Sequence, residues 1–258
     1  MRYLAHDLGD LESAYIIPFS DLHIGDPLFD EAKFLGYRDW VLKQPNAYVT
    51  VNGDIINAAL PDSVSDSMEE AFNPKEQVKR AKEIFRPLFE AGRVLCWNDG
   101  NHEYRIRRRT ALEVGEMICE KFDAEHLYTR DGIVLGVSLG RGDNGKRIAY
   151  QLLIVHGSGG GKRPGGKVNS LQDLQRVAEN IDIYVEGHVH MPSAFTQSVF
   201  VADPQNKQTR EKKLTFVSGG SFLKWGGYAQ RKGYYPARTG CPRIRLEGRG
   251  RKDVHCSI

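Results

Sequence analysis

The sequence predicts an α/β fold with two stacked sheets, and two observations carry that reading. The first half alternates short apolar runs with segments of helical period, the pattern of a parallel sheet joined by crossover helices. From Gly132 onward strand-like runs dominate, with one helical stretch near residues 170–179, which sets a second sheet against the first. At 258 residues the chain can bury such a core without disulfides. No linker or composition shift divides it, so residues 1–258 read as one domain.

The strands come first. Ala14–Phe19 is rich in β-branched and aromatic residues and runs into Asp21. Ala47–Val51 runs into Asp54, and Arg93–Trp97 leads toward Asn101. Gln151–Val155 runs into His156, and Ile181–Val185 into His188. Short apolar runs closed by Gly or Asn turns are strand signals. The tail from Arg243 to Lys252 reads as a last strand with a frayed end.

The helices fall between. Asn73-Pro74-Lys75-Glu76 supplies an N-cap, a proline at the first helical position and a carboxylate at the third. Val78, Ala81, Phe85, Leu88 and Phe89 then recur at helical spacing, and Gly92 is the expected stop. Ala111, Val114, Ile118 and Phe122 mark a second helix. Leu171, Leu174, Val177 and Ala178 mark a third, with Ser170 and Asp173 as its capping box.

Composition excludes several classes. A hydrophobic fraction of 40% and a charged fraction of 27% are those of a globular protein. The net charge of +3 admits a phosphorylated or nucleic-acid ligand without demanding one. Cys96, Cys119, Cys241 and Cys256 form no CxxC pair, which argues against a zinc ribbon or a disulfide framework. Met1–Glu12 has no apolar core of a signal peptide, and no stretch reaches membrane-span length. A cytoplasmic location with reduced thiols and no membrane partner is the expectation.

Five short motifs carry metal-ligand residues: Ser20-Asp21-Leu22-His23, Gly53-Asp54, Gly100-Asn101-His102-Glu103, His156-Gly157 and Gly187-His188-Val189-His190. They hold five of the eight histidines. Carboxylate, amide and imidazole together suit hard-to-borderline divalent metals. Most follow an apolar run directly. In an open α/β sheet that position lies at the carboxyl edge, where ligands bind. The glycines permit tight turns and close backbone approach. His6, His126 and His255 fit no constellation and are expected at the surface.

The order D-x-H, G-D, G-N-H-E, H, G-H-x-H across residues 20–190 resembles the calcineurin-like metallophosphoesterase superfamily, and Pro192 fits a common extension of its last motif. The resemblance implies a four-layer α-β-β-α sandwich of two mixed sheets flanked by helices. It implies two divalent ions, manganese foremost, with iron, zinc and magnesium as alternatives. One ion would be held by Asp21, His23 and His190. The other would be held by Asn101, His156 and His188, with Asp54 bridging. His102 would be the general acid, oriented by a nearby carboxylate. The implied chemistry is phosphoester hydrolysis by a metal-bridging hydroxide.

Substrate class is argued from what surrounds the motifs. Arg105, Arg107, Arg108 and Arg109 follow Asn101-His102 directly. Such runs are usually solvated, but this one is also a candidate phosphate-binding rim, with Asn101, His102 and Arg105 as candidate substrate contacts. Gly159–Lys167 is basic and glycine-rich, yet no Lys-Ser/Thr pair closes it as in a P-loop. It reads as a basic loop near the site. The aromatics of Gly219–Tyr228 and Tyr234-Tyr235 could stack nucleobases, though a core edge or a subunit contact is the stronger expectation. A phosphodiesterase acting on nucleic acid or nucleotides is the leading reading. A phosphomonoesterase such as a protein serine/threonine phosphatase ranks below it, because Gly53-Asp54-Ile55-Ile56-Asn57 departs from the G-D-x-x-D-R-G of that branch. A non-catalytic scaffold of the same fold ranks last, since every ligand position is retained.

Overall fold

The computed structural model describes residues 1–60, 63, 67–159 and 161–258. Among the described residues the strands run in chain order: β1 (Arg2–Asp7), β2 (Ser13–Phe19), β3 (Ala47–Asn52), β4 (Val94–Asn98), β5 (Tyr128–Thr129), β6 (Ile133–Leu139), β7 (Arg141–Gly142), β8 (Ile148–Val155), β9 (Ile183–Glu186), β10 (Ser193–Asp203), β11 (Gln208–Ser218), β12 (Arg243–Glu247), β13 (Arg249–Gly250) and β14 (Val254–Ser257). The helices are α1 (Glu31–Lys43), α2 (Pro74–Glu90), α3 (Asn101–Thr110), α4 (Val114–Glu120), α5 (Pro164–Asp173) and α6 (Gly227–Arg231).

Two mixed six-stranded sheets form the centre. One has the order β1-β6-β8-β9-β11-β10 and the other β14-β12-β2-β3-β4-β5. In the second, β2, β3, β4 and β5 run parallel, as the strand–helix alternation predicts. Side-chain alternation explains the layering. Ala14 and Ile16 of β2 pack between the sheets with Leu135, Leu152 and Ile183. Ile17 and Phe19, on the opposite face, pack on Phe34 of α1 and Phe85 of α2. On the far side of the first sheet, Leu153, Tyr184 and Phe216 pack on Leu171 of α5. The result is the expected α-β-β-α sandwich.

Local expectations are met unevenly. The α2 capping box forms: the Asn73 side chain accepts from the Glu76 N–H, and Glu76 accepts from the Asn73 N–H. Gly92 follows its last turn at φ 62°. Ala111 and Phe122 lie outside α4. Ala111 sits at φ 61° and ends α3, its N–H bonding the Arg107 carbonyl. The Ser170–Asp173 capping box does not exist. α5 starts earlier, at Pro164, so Ser170 lies within the helix and its hydroxyl donates to the Ser158 carbonyl. Proline at the first helical position gave the stronger start signal. The tail is the strands β12 and β13, divided at Gly248, and β14 follows them. His6 is half-buried, with Nε2 2.8 Å from the Leu95 carbonyl, whereas His126 and His255 are exposed as expected. The cysteines are free thiols. Among the described residues, no helix is long and apolar enough to cross a membrane.

Phe34 is the hub of the helical layer. Its ring lies 4.8 Å from Phe19, 5.6 Å from Phe85 and 5.1 Å from Phe222, centroid to centroid. Phe34→Ala is expected to destabilise the protein by about 3–5 kcal/mol through lost contacts and a residual cavity. Urea unfolding measures this; a loss under about 1 kcal/mol would show that the layer recloses.

Candidate metal centre

The loops that follow β2, β3, β8 and β9, with the start of α3, meet at one edge of the sandwich. They bring Asp21, His23, Asp54, Asn101, His102, His156, His188 and His190 together. Three groups of donor atoms each lie within 4.8 Å: Asp21–His23–His190, His23–Asp54–His102 and Asp54–His156–His188.

The backbone makes this convergence possible at a cost. Asp21, His23, Asp54, His188 and His190 all have φ between 51° and 65°. That left-handed region is uncommon for residues with a Cβ, and such strain clusters at functional sites. It turns successive side chains inward where an extended chain would splay them. Gly53, at φ 86°, lets its backbone pass Gly100 so closely that a Cβ would stand 2.5 Å from the Gly100 nitrogen. A Cβ on Gly100 would overlap the Asp54 carboxylate.

Each carboxylate divides its oxygens between holding and presenting. Asp54 Oδ1 accepts the His102 N–H at 2.9 Å. Asp54 Oδ2 faces three imidazole Nε2 atoms: His156 at 3.2 Å, His102 at 3.7 Å and His23 at 3.9 Å. Asp21 accepts the His188 N–H at 2.9 Å and the Ser20 hydroxyl through Oδ2. Its Oδ1 lies 3.0 Å from His190 Nε2. Burial raises the pKa of both carboxyls, but the surrounding imidazoles, His190 for Asp21 and His102 and His156 for Asp54, bring them well below the usual range.

The histidines are oriented by acceptors behind them. His156 Nδ1 lies 2.8 Å from the Asn52 carbonyl, which can only accept, so the hydrogen is on Nδ1. A neutral ring then aims its Nε2 lone pair at Asn101 Oδ1, 3.1 Å away, and at Asp54 Oδ2. His23 repeats the pattern. Its Nδ1 is 3.2 Å from Asn57 Oδ1, and its Nε2 faces His190 Nε2 at 3.1 Å. At His156 a lone pair is set against two oxygen acceptors, an arrangement that a cation or a proton would satisfy. Burial lowers the His156 pKa, yet the Asp54 charge and hydrogen bond carry it up to about 10, so positive charge is favoured at this position. Separations near 3 Å are also those of ligands roughly 2.1 Å from a shared ion. The residues present therefore fit divalent metal, and the buried Asp/His groups could hold it.

His102 differs. Its Nδ1 meets the main-chain carbonyl of Asn57, and Arg105 Nη2 donates to Nε2 at 3.0 Å. The expected carboxylate partner is replaced by a backbone carbonyl. Burial, with the neighbouring His23 and Arg105 charges, lowers its pKa to about 3 against the pull of Asp54. Glu103 caps the start of α3, and it does more. Oε2 accepts from Gly100 (2.8 Å) and Asp54 (3.0 Å), and Oε1 from Ile55 (2.8 Å) and Ile56 (3.0 Å).

A cleft of about 390 Å³ opens above the cluster, a size suited to a small ligand. Arg105 lines it, but the rest of the arginine run does not. Arg107 pairs with Glu113 at 3.2 Å, and Arg108 and Arg109 are exposed on the last turn of α3. The helix turns their side chains away from the cleft. Of the basic glycine loop, Gly159, Gly161 and Lys167 line the cleft; Gly160 lies outside the described residues. Lys167 belongs to the first turn of α5, and its Nζ donates to the Val189 carbonyl at 2.7 Å. The aromatic segment divides between core and cleft. Phe222 is buried, whereas Trp225, Tyr228, Tyr234 and Tyr235 line the cleft. Asn57 was the site residue missed. Its position three residues after Asp54 in the same loop was the available signal.

No family model matches the sequence, and no curated protein matches it. Among solved structures, NAD nucleotidase of Haemophilus influenzae aligns over 94% of this chain at a TM-score of 0.37 and 11% identity. The chain covers 49% of that enzyme, about half its length.

The four bonds of Glu103 generate a prediction. Glu103→Gln keeps the shape but turns an NH2 toward two of the four N–H donors. Each buried donor so stranded costs about 1–3 kcal/mol, so the variant is expected to lose roughly 2–6 kcal/mol. Amide exchange at Asp54, Ile55 and Ile56 should accelerate ahead of the core strands. Unchanged protection there would remove Glu103 from this role.

Proposed function

We propose that the protein is a metal-dependent phosphoester hydrolase that takes two divalent cations, one on each side of Asp54, and acts on phosphodiesters of nucleotides or nucleic acid. One observation carries the reading. Asp54 presents one carboxylate oxygen between two donor groups, Asp21–His23–His190 and Asn101–His156–His188. Cations bound there supply Lewis acidity to a phosphoryl oxygen and lower the pKa of water. Manganese is the proposed ion for this mixture of oxygen and imidazole ligands.

The remaining work falls to side chains of the cleft. Arg105 is held against His102 and lines the cleft, where its fork of donors suits phosphoryl oxygens. Asn101 and His102, at the start of α3, add the positive end of a helix dipole on the same side. His102 is the proposed donor to the departing oxygen: Asn57 fixes the ring from behind, and to donate from Nε2 the ring must first take up a proton there and release Arg105 to the phosphate, against the burial that lowers its pKa to about 3.

The purified protein is expected to take up about two manganese ions per chain by elemental analysis, and to hydrolyse bis-p-nitrophenyl phosphate in preference to p-nitrophenyl phosphate. Asp54→Asn should cost more activity than any other ligand change, because it removes the charge that both groups share. Saturation at one ion would reject the dinuclear reading. Turnover of phosphopeptide without any diester would replace it with a phosphomonoesterase.

His102→Gln tests the leaving-group role separately. Turnover should fall by about 10²–10⁴ for alkyl leaving groups while metal content stays near that of the parent. The loss should shrink for nitrophenolate, which departs without a proton. Equal losses on both would assign His102 to phosphate positioning.

A further inference from the structure

We infer that the aromatic face of the cleft, formed by Trp225, Tyr228 and Tyr235, is a nucleobase platform, so that the substrate is a nucleotide or an unpaired chain end held by its base. This deepens the phosphoester reading and rests on it for the position of the phosphate.

The first argument is exposure. Trp225 is 43% exposed, Tyr228 41% and Tyr235 64%, in a chain whose other tryptophans are buried or half-buried. Rings gathered on one cleft wall have a cost in water that a stacked ligand would offset.

The second argument is rigidity relative to the metal cluster. Just before these rings, Phe222 donates its N–H to the Asp21 carbonyl at 3.1 Å, and the Ser221 hydroxyl donates to the same oxygen at 2.9 Å. Lys224 N–H donates to the Leu28 carbonyl at 2.9 Å, and Trp225 Nε1 donates to the Tyr234 carbonyl at 2.9 Å. The segment that carries the platform is therefore tied to the loop that carries the ligands.

The third argument is charge. Arg105 lines the same cleft as Tyr228, and Lys167 Nζ is 5.8 Å from the Tyr234 ring. Cations thus flank the aromatic wall on the side of the ligand cluster, the order in which a nucleotide presents phosphate and base. Tyrosine hydroxyls can also bond a base edge. The cleft volume fits one nucleotide. A duplex would have to unstack a base to enter, at a cost of a few kcal/mol.

The test is binding of AMP against ribose-5-phosphate to the EDTA-treated protein, by equilibrium dialysis, with tryptophan fluorescence as a second readout. AMP is expected to bind at least about tenfold more tightly, as base–aromatic stacking allows, and to quench emission. Trp225→Phe should abolish the quenching. Tyr235→Ala alone, and Trp225→Ala with Tyr235→Ala, should bring AMP toward the ribose-5-phosphate affinity. The single change guards against misfolding of the double variant, and thermal melting checks both. Equal binding of the two ligands to the parent protein, or an AMP preference that survives both variants, overturns the inference. Manganese uptake by the same preparations separates the two readings. Uptake without base discrimination rejects the platform alone, and base discrimination without uptake rejects the dinuclear site alone.

Discussion

The Glu103 carboxylate is the contact on which the rest of the centre depends. It is buried, it belongs to the first turn of α3, and it accepts four main-chain N–H groups from two separate segments. Those segments carry Asp54 and Asn101. Without a common acceptor, four buried donors would be stranded where the chain turns back on itself, and stranded donors are costly. With it, Gly53 and Gly100 can lie nearly in contact, and the His102 N–H reaches Asp54 Oδ1. Burial and the Asp54 charge raise the Glu103 pKa, while its backbone bonds lower it. One side chain thus sets both the position of the shared carboxylate and the start of the helix beside it.

The left-handed ligand residues show what such scaffolding supports. Five donors in an unfavourable region store about 1–3 kcal/mol each by the usual measure for strained sites. Backbone bonds around them hold the conformation: Asp21 N–H to Gly53 O, His23 N–H to Asp54 O, and His188 N–H to Asp21. Each links one ligand-bearing loop to another. The strain is therefore borne by a closed set of loops, and no ligand can relax without moving its neighbours.

This pattern explains what the sequence could and could not disclose. The clustered Asp, Asn and His positions were legible because each is local: a strand end, a turn glycine and a donor within four residues. The α2 cap was legible for the same reason. The start of α5 at Pro164 was obscured by the glycines before and after the proline, which read as loop. The arginine run was a single block in sequence, yet a helix sends its members in different directions, so Arg105 faces the cleft and Arg107 faces Glu113. The aromatic segment was ambiguous because Phe222 and Trp225, three residues apart, have opposite fates, one in the core and one in the cleft. Asn57 supports His23 through its side chain and His102 through its carbonyl. No residue type announces a carbonyl, and that half of its role was invisible before the fold.

The two sheets contribute unlike chemistry, and the site exists only where they join. The β2, β3 and β4 side supplies Asp21, His23, Asp54 and Asn101, which include both carboxylates. The β8 and β9 side supplies His156, His188 and His190 and no carboxylate among the donor groups. The bonds that cross the seam pair the two sets: Asp21 with His190 and with the His188 N–H, Asp54 with His156, and His156 Nδ1 with the Asn52 carbonyl. Either sheet alone presents an incomplete coordination set, one too acidic to stay buried and the other without charge to balance a cation. The apolar layer between them, from Ile16 and Leu95 to Leu152 and Val185, therefore fixes the distance across which a pair of cations would be held. Packing that reads as mere stability at the centre of the sandwich becomes ligand geometry at its edge.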